Sequence, residues 1–180
     1  MNFSGDARKF DQVNYAGLAS GIRADFSGDH RINVYRGAAT DSLTGIESLI
    51  GTAGDDIFTG LASSMSIETG GGNDKVSIAT GSHFDSAISM SSGGFLDLYL
   101  GLESGWRFDQ VDGVGGMVTI TTYDASDNRQ SSIGLLNTRP NFAVHADSLV
   151  ANAAAFGSPL ASGSTFAAQQ NTAIHATSFA

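Results

Sequence analysis

Two aspartates, Asp56 and Asp74, stand 18 residues apart, each in the pattern Gly-x-Asp-x-apolar: Gly54-Asp55-Asp56-Ile57-Phe58 and Gly72-Asn73-Asp74-Lys75-Val76. They belong to four successive nine-residue units over residues 42–77, SLTGIESLI, GTAGDDIFT, GLASSMSIE and TGGGNDKVS. A nine-residue period built on Gly-Gly-x-Gly-x-Asp-x-apolar-x is a metal-binding β-helix repeat. In such a unit the first six residues are expected to turn and the last three to form a short strand. Glycine suits the turn because it accepts positive φ and lets carbonyls point inward at an ion. One coil is two units, so Asp56 and Asp74 are expected to stack about 4.8 Å apart. Carboxylates that close repel unless a cation lies between them. An all-oxygen cage with many flexible ligands selects Ca²⁺ over Mg²⁺.

The eighth positions, Leu49, Phe58, Ile67 and Val76, are expected to face the interior between two stacked sheets. Extending the register puts Thr40 before them and Asp85 after them, so the nine-residue pattern ends on both sides. The other edge of the coil is poorer in ligands. Its sixth positions are Glu47 and Met65, and Ser63-Ser64 replaces the glycine turn. Methionine cannot ligate calcium. One good site is therefore expected, on the Asp56/Asp74 edge, with at most a partial second.

These units must be held by strands. Val13 and Tyr15 alternate, as do Ile22, Ala24 and Phe26, then Ile32 and Val34, with glycine turns between them. After the repeat, Phe95 to Leu100 and Met117 to Tyr123 alternate cleanly, and Trp106 and Phe108 between them are expected to cap the open end of the stack. With 23 glycines and two prolines, the chain suits many tight turns. The fold expected is all-β: a short parallel β-roll or β-solenoid over 42–77, capped by flanking strands over 1–41 and 78–140, with a tail over 141–180. From Ser148 onward that tail has no Asp, Glu, Lys or Arg, and Phe156, Phe166 and Phe179 are spaced along it.

Composition narrows the partners. A net charge of −9 argues against nucleic acid and favours a chain neutralised by cations. No cysteine is present, so no disulfide holds the fold. The N-terminus has no apolar h-region, and no run approaches the ~20 apolar residues of a membrane span.

The units resemble the RTX, or haemolysin-type calcium-binding, repeats of secreted bacterial proteins. The likeness is closest over Asp41 to Gly60 and extends to the Phe10 to Gly28 strand pair. It implies that turn carbonyls and the sixth-position aspartate bind calcium between stacked turns. Carried onto this chain, it implicates Thr52, Gly54 and Asp56 from one turn, and Gly70, Gly72 and Asp74 from the next. Thr52 and Thr69 stand where the family has glycine, and the third unit is degenerate. The resemblance also implies export by type I secretion machinery, with the uncharged tail as its C-terminal signal.

The leading expectation is a secreted calcium-binding module, loosely folded in calcium-poor cytosol and folded by calcium outside the cell. Two other readings stay open. One is an adhesin or surface-layer component with a cell-surface or glycan ligand. The other is the C-terminal part of a secreted hydrolase, lyase or epimerase whose catalytic domain lies elsewhere. No activity is expected of this chain itself, since His30, His83, His145 and His175 are scattered and no His-Glu-x-x-His or Gly-x-Ser-x-Gly occurs.

Overall fold

Alternating apolar residues between glycine turns produce strands throughout the computed structural model, which describes residues 2–5, 10–27, 31–91, 93–136 and 141–146. The charge-free segment 148–180, His30 and His175 lie outside the described residues. Strands β1 (Asn2–Ser4), β2 (Gln12–Asn14), β3 (Arg23–Ser27), β4 (Arg31–Arg36) and β5 (Ala39–Thr44) come first. The repeat contributes β6 (Ser48–Thr52), β7 (Ile57–Leu61), β8 (Ser66–Gly70) and β9 (Asn73–Ile78). Then come β10 (Asp85–Ser89), β11 (Phe95–Tyr99), β12 (Arg107–Asp112), β13 (Val118–Tyr123), β14 (Arg129–Leu136) and β15 (Phe142–His145). A single 3₁₀ turn, Val114–Gly116, is the only helical element among the described residues.

The strands form two mixed sheets. One is eight-stranded in the order β1-β5-β4-β3-β7-β9-β11-β15, the other seven-stranded in the order β12-β13-β14-β10-β8-β6-β2. From β6 to β11 the chain changes sheet at every strand. Strands β3, β7, β9, β11 and β15 are mutually parallel in sequence order of pairing. So are β2, β6, β8, β10 and β14 in the other sheet. Two antiparallel runs, β3-β4-β5 and β12-β13-β14, extend the sheets.

The eighth-position side chains line up across these ladders. Val13, Leu49, Ile67, Ile88 and Leu135 pair in one sheet. Ala24, Phe58, Val76, Leu98 and Val144 pair in the other. Leu49, Phe58, Ile67, Val76, Ile88 and Leu98 are all fully buried in one apolar cluster. Each contributes about 1.5–3 kcal/mol relative to exposure.

The structure departs from the sequence expectations in four places. First, the nine-residue period stops, but the parallel stacking does not. Ile67 pairs Ile88 and Val76 pairs Leu98, wider spacings than the 18 residues of the repeat, because longer turns are inserted while the inward residues stay in register. Second, β6, β7 and β8 are five residues long rather than three. Ladder pairing continues into the next unit, as Thr52 with Gly70 shows. Third, Phe108 packs against the core, whereas Trp106 is half-buried and outside that cluster. Fourth, Phe142–His145, assigned to the tail, pairs with β11 because Phe142 and Val144 offer it an alternating apolar face.

One inward row ends on a charge. Beyond Ala24 and Val34 stands Asp41, 2 % exposed. Arg36 Nε and Nη2 donate to its two oxygens at 2.6 and 3.0 Å, and the Tyr15 hydroxyl donates at 3.1 Å. The Arg36 guanidinium holds the Asp41 carboxyl well below the usual carboxylate range. Burial, then Asp41, pushes the Tyr15 phenol up.

Candidate metal centre

The turns that join the seven-stranded sheet to the eight-stranded one lie on top of one another. Gly71 N–H donates to Thr52 O at 3.2 Å, Ser91 N–H to Gly70 O at 2.9 Å, and Phe95 N–H to Gly72 O at 2.8 Å. So close a stack excludes side chains at some positions. Gly70 has φ +92, and a Cβ there would stand 1.7 Å from Thr52 O. Gly51 is needed for a different reason: its Cβ would stand 2.3 Å from Asp56 Oδ2. The missing side chain makes the space in which the carboxylate sits.

All six residues implicated by the sequence, Thr52, Gly54, Asp56, Gly70, Gly72 and Asp74, fall in two adjacent turns of this stack. Asp56 and Asp74 are both fully buried. They are not equivalent. Asp56 is saturated: Oδ1 accepts from Ile22 N–H at 2.7 Å and from Thr52 Oγ1 at 2.9 Å, and Oδ2 accepts from Thr52 N–H at 2.5 Å. Asp74 Oδ1 accepts from Asp56 N–H at 2.9 Å, but among the described residues Oδ2 has no hydrogen-bond partner. The hydroxyl of Thr69, also fully buried, is likewise without one. It lies near enough to lower the Asp74 pKa, yet without hydrogen-bond geometry between them.

A sixth-position acceptor recurs in this stack, at Asp56, Asp74 and Glu47. It takes the backbone N–H of the matching residue beside the preceding strand of the same sheet, Ile22 for Asp56 and Asp56 for Asp74. On the opposite edge Glu47 Oε2 takes Asp11 N–H at 2.9 Å, and Ser86 Oγ takes Met65 N–H at 3.1 Å. Met65 itself is a buried core residue. Hydrogen bonding accounts fully for Asp56 and for one oxygen of Asp74. It leaves Asp74 Oδ2 unexplained, and an unpaired buried carboxylate oxygen is costly.

Among the described residues no group of three or more His, Asp or Glu side chains is placed to hold a metal ion. A cation here would be held by carboxylate and backbone oxygens, as the hard cations accept. Outside the same turns a groove of about 430 Å³, lined by Thr52, Glu68, Gly70, Gly71, Gly72 and Gly93, opens the turn backbone to solvent.

Burial pushes the Asp74 carboxyl up to about 7, and the neighbouring charges of Asp56 and Asp55 add to this. Burial also raises Asp56, against the lowering effect of its bonds from Thr52 and Ile22. The linkage sign follows. Between about pH 4, where an unfolded aspartate titrates, and pH 7, folded Asp74 holds a proton that the unfolded chain has lost. Stability therefore falls as pH rises through this window. Asp41 does not offset it, since its stabilising charge is lost only below about pH 4. In chelator, the melting temperature is expected to be lower at pH 8 than at pH 5, with the difference reduced in Asp74→Asn. A flat or rising melting temperature would contradict the assignment of Asp74.

No family model matches this chain, and a search of curated proteins finds no match. Two residues of the centre were not among those implicated by the sequence, Gly51 and Thr69. Each occupies the first position of a nine-residue unit, and threonine in that glycine place was the available signal for Thr69.

Proposed function

We propose that the chain is a calcium-binding module of the RTX type, a short β-roll that completes its folding when calcium binds outside the cell. The observation carrying this reading is Asp74 Oδ2, a buried carboxylate oxygen that finds no hydrogen-bond partner among the described residues, inside a stack of glycine turns. Asp74 and the turn oxygens of Thr52, Gly54, Gly70 and Gly72 would hold the ion, with Asp56 fixing the turn beside it. The carbonyls of Thr52, Gly70 and Gly72 each accept one backbone hydrogen bond and keep a second lone pair, and the single Thr52 hydroxyl proton goes to Asp56 Oδ1 at 2.9 Å rather than to Gly54 O at 3.3 Å. A bound divalent cation supplies positive charge where two buried carboxylates otherwise repel. The net charge of −9 supports the same reading, because calcium-poor surroundings leave that repulsion unscreened. The charge-free segment 148–180 is proposed as the address read by type I secretion machinery, on its resemblance to such signals. Among the described residues no helix is long and apolar enough to cross a membrane.

Calcium at about 100 times its dissociation constant is expected to stabilise the fold by about 2.7 kcal/mol. Thermal melts and circular dichroism in chelator, in millimolar magnesium and in millimolar calcium test this. A melting temperature and spectrum unchanged by calcium would overturn the proposal.

A further inference from the structure

The two polar layers of the turn stack differ in what they lack. In the first, Gly51 leaves room for the Asp56 carboxylate, and every Asp56 oxygen has a donor. In the second, Thr69 takes the place of Gly51, since Thr52 pairs with Gly70 in the ladder. There Asp74 Oδ2 and Thr69 Oγ1 are both fully buried, and neither has a hydrogen-bond partner among the described residues. The next layer cannot serve them. Leu96 pairs with Asp74, and Met90 follows Ser89, the partner of Glu68. Both side chains are buried and apolar. A polar pair that finds no well-formed hydrogen bond among the described residues, beneath an apolar roof, is a place where a third group would complete the bonding.

We infer that Thr69 is a ligand-side residue of this centre, and that the ion belongs to the Thr69–Asp74 layer rather than being shared equally by Asp56 and Asp74. This rests on the calcium reading above and deepens it. The donor set becomes one carboxylate oxygen, one hydroxyl and turn carbonyls, an oxygen cage low in charge and suited to a hard cation of moderate affinity. Asp56 then acts as a positioning residue, holding Thr52 and, through its N–H, Asp74 Oδ1.

Thr69→Val keeps the shape and removes the hydroxyl. Calorimetric titration of the full chain with calcium is expected to give binding weaker by about tenfold or more, of the size seen when supporting groups of metal sites are removed. In chelator the same variant should melt no lower than the parent, because it deletes an unpaired buried hydroxyl. Thr69→Ser, which restores the oxygen, should bind within a few-fold of the parent. Asp74→Asn can offer its amide to Thr69, so it should stay folded in chelator and lose the calcium response. If the parent binds calcium and Thr69→Val binds it equally well, the inference falls, and a buried water bridges the pair instead. If the parent binds no calcium, the functional reading falls with it. A Thr69→Val that melts lower in chelator and binds unchanged assigns Thr69 to packing alone.

Discussion

Asp56→Ala is expected to destabilise the turn stack severely whether or not calcium is present. The Asp56 carboxylate accepts the N–H groups of Ile22 and Thr52 and the Thr52 hydroxyl. Alanine leaves two N–H donors inside the turn stack without an acceptor, each costing about 1–3 kcal/mol. The combined loss, about 2–6 kcal/mol, is a large part of the 5–15 kcal/mol that usually holds a domain together. It reaches further than one turn, because Ile22 and Thr52 lie on either side of the crossing between the two sheets. Urea unfolding in chelator and in calcium measures it. A loss confined to the calcium-loaded protein would make Asp56 a ligand only, and would remove the distinction drawn between the two aspartates.

Gly70→Ala is the second change with a large expected effect. The residue has φ +92, where a side chain is strained by about 1–3 kcal/mol. Its Cβ would stand 1.7 Å from Thr52 O, a backbone atom that cannot move without parting β6 from β8. Overpacking of that kind costs a further 1–3 kcal/mol or so. The control is Gly17→Ala, where a Cβ meets nothing within 4 Å. Melting temperatures of the two variants should differ by many degrees. Equal melting temperatures would mean that the turns do not stack as described.

Much of the fold was legible because a strand's side chains alternate with period two and the repeat unit recurs every nine residues. Leu49, Phe58, Ile67 and Val76 could be assigned to the interior from spacing alone, and all four are buried. The continuation of the stack into β10 and β11 was not legible. Turn length there varies while the inward positions are conserved in space, so Ile88 and Leu98 fall out of sequence phase and stay in spatial phase. The strand Phe142–His145 was missed for a related reason, since four residues carry too little alternation to stand out. Trp106 and Phe108 were read alike from their place between two strands, and both are half-buried, but only Phe108 packs against the core cluster.

The candidate centre divides in the same way. Sequence spacing placed Asp56 and Asp74 at the same point of units 18 residues apart, and the Asp56 N–H does donate to the Asp74 carboxylate. It also placed Met65, a buried core residue, at the corresponding point on the opposite edge. Only the tertiary structure decided that the two aspartates do different work. Sequence spacing assigns them the same position in the unit, and hydrogen-bond saturation is a property of neighbours from other coils. Ile22 reaches Asp56 across 34 residues, whereas among the described residues no donor forms a well-aligned hydrogen bond to Asp74 Oδ2. That difference comes from the glycine at 51 and the threonine at 69, two side chains that set how much room and how many donors each carboxylate finds.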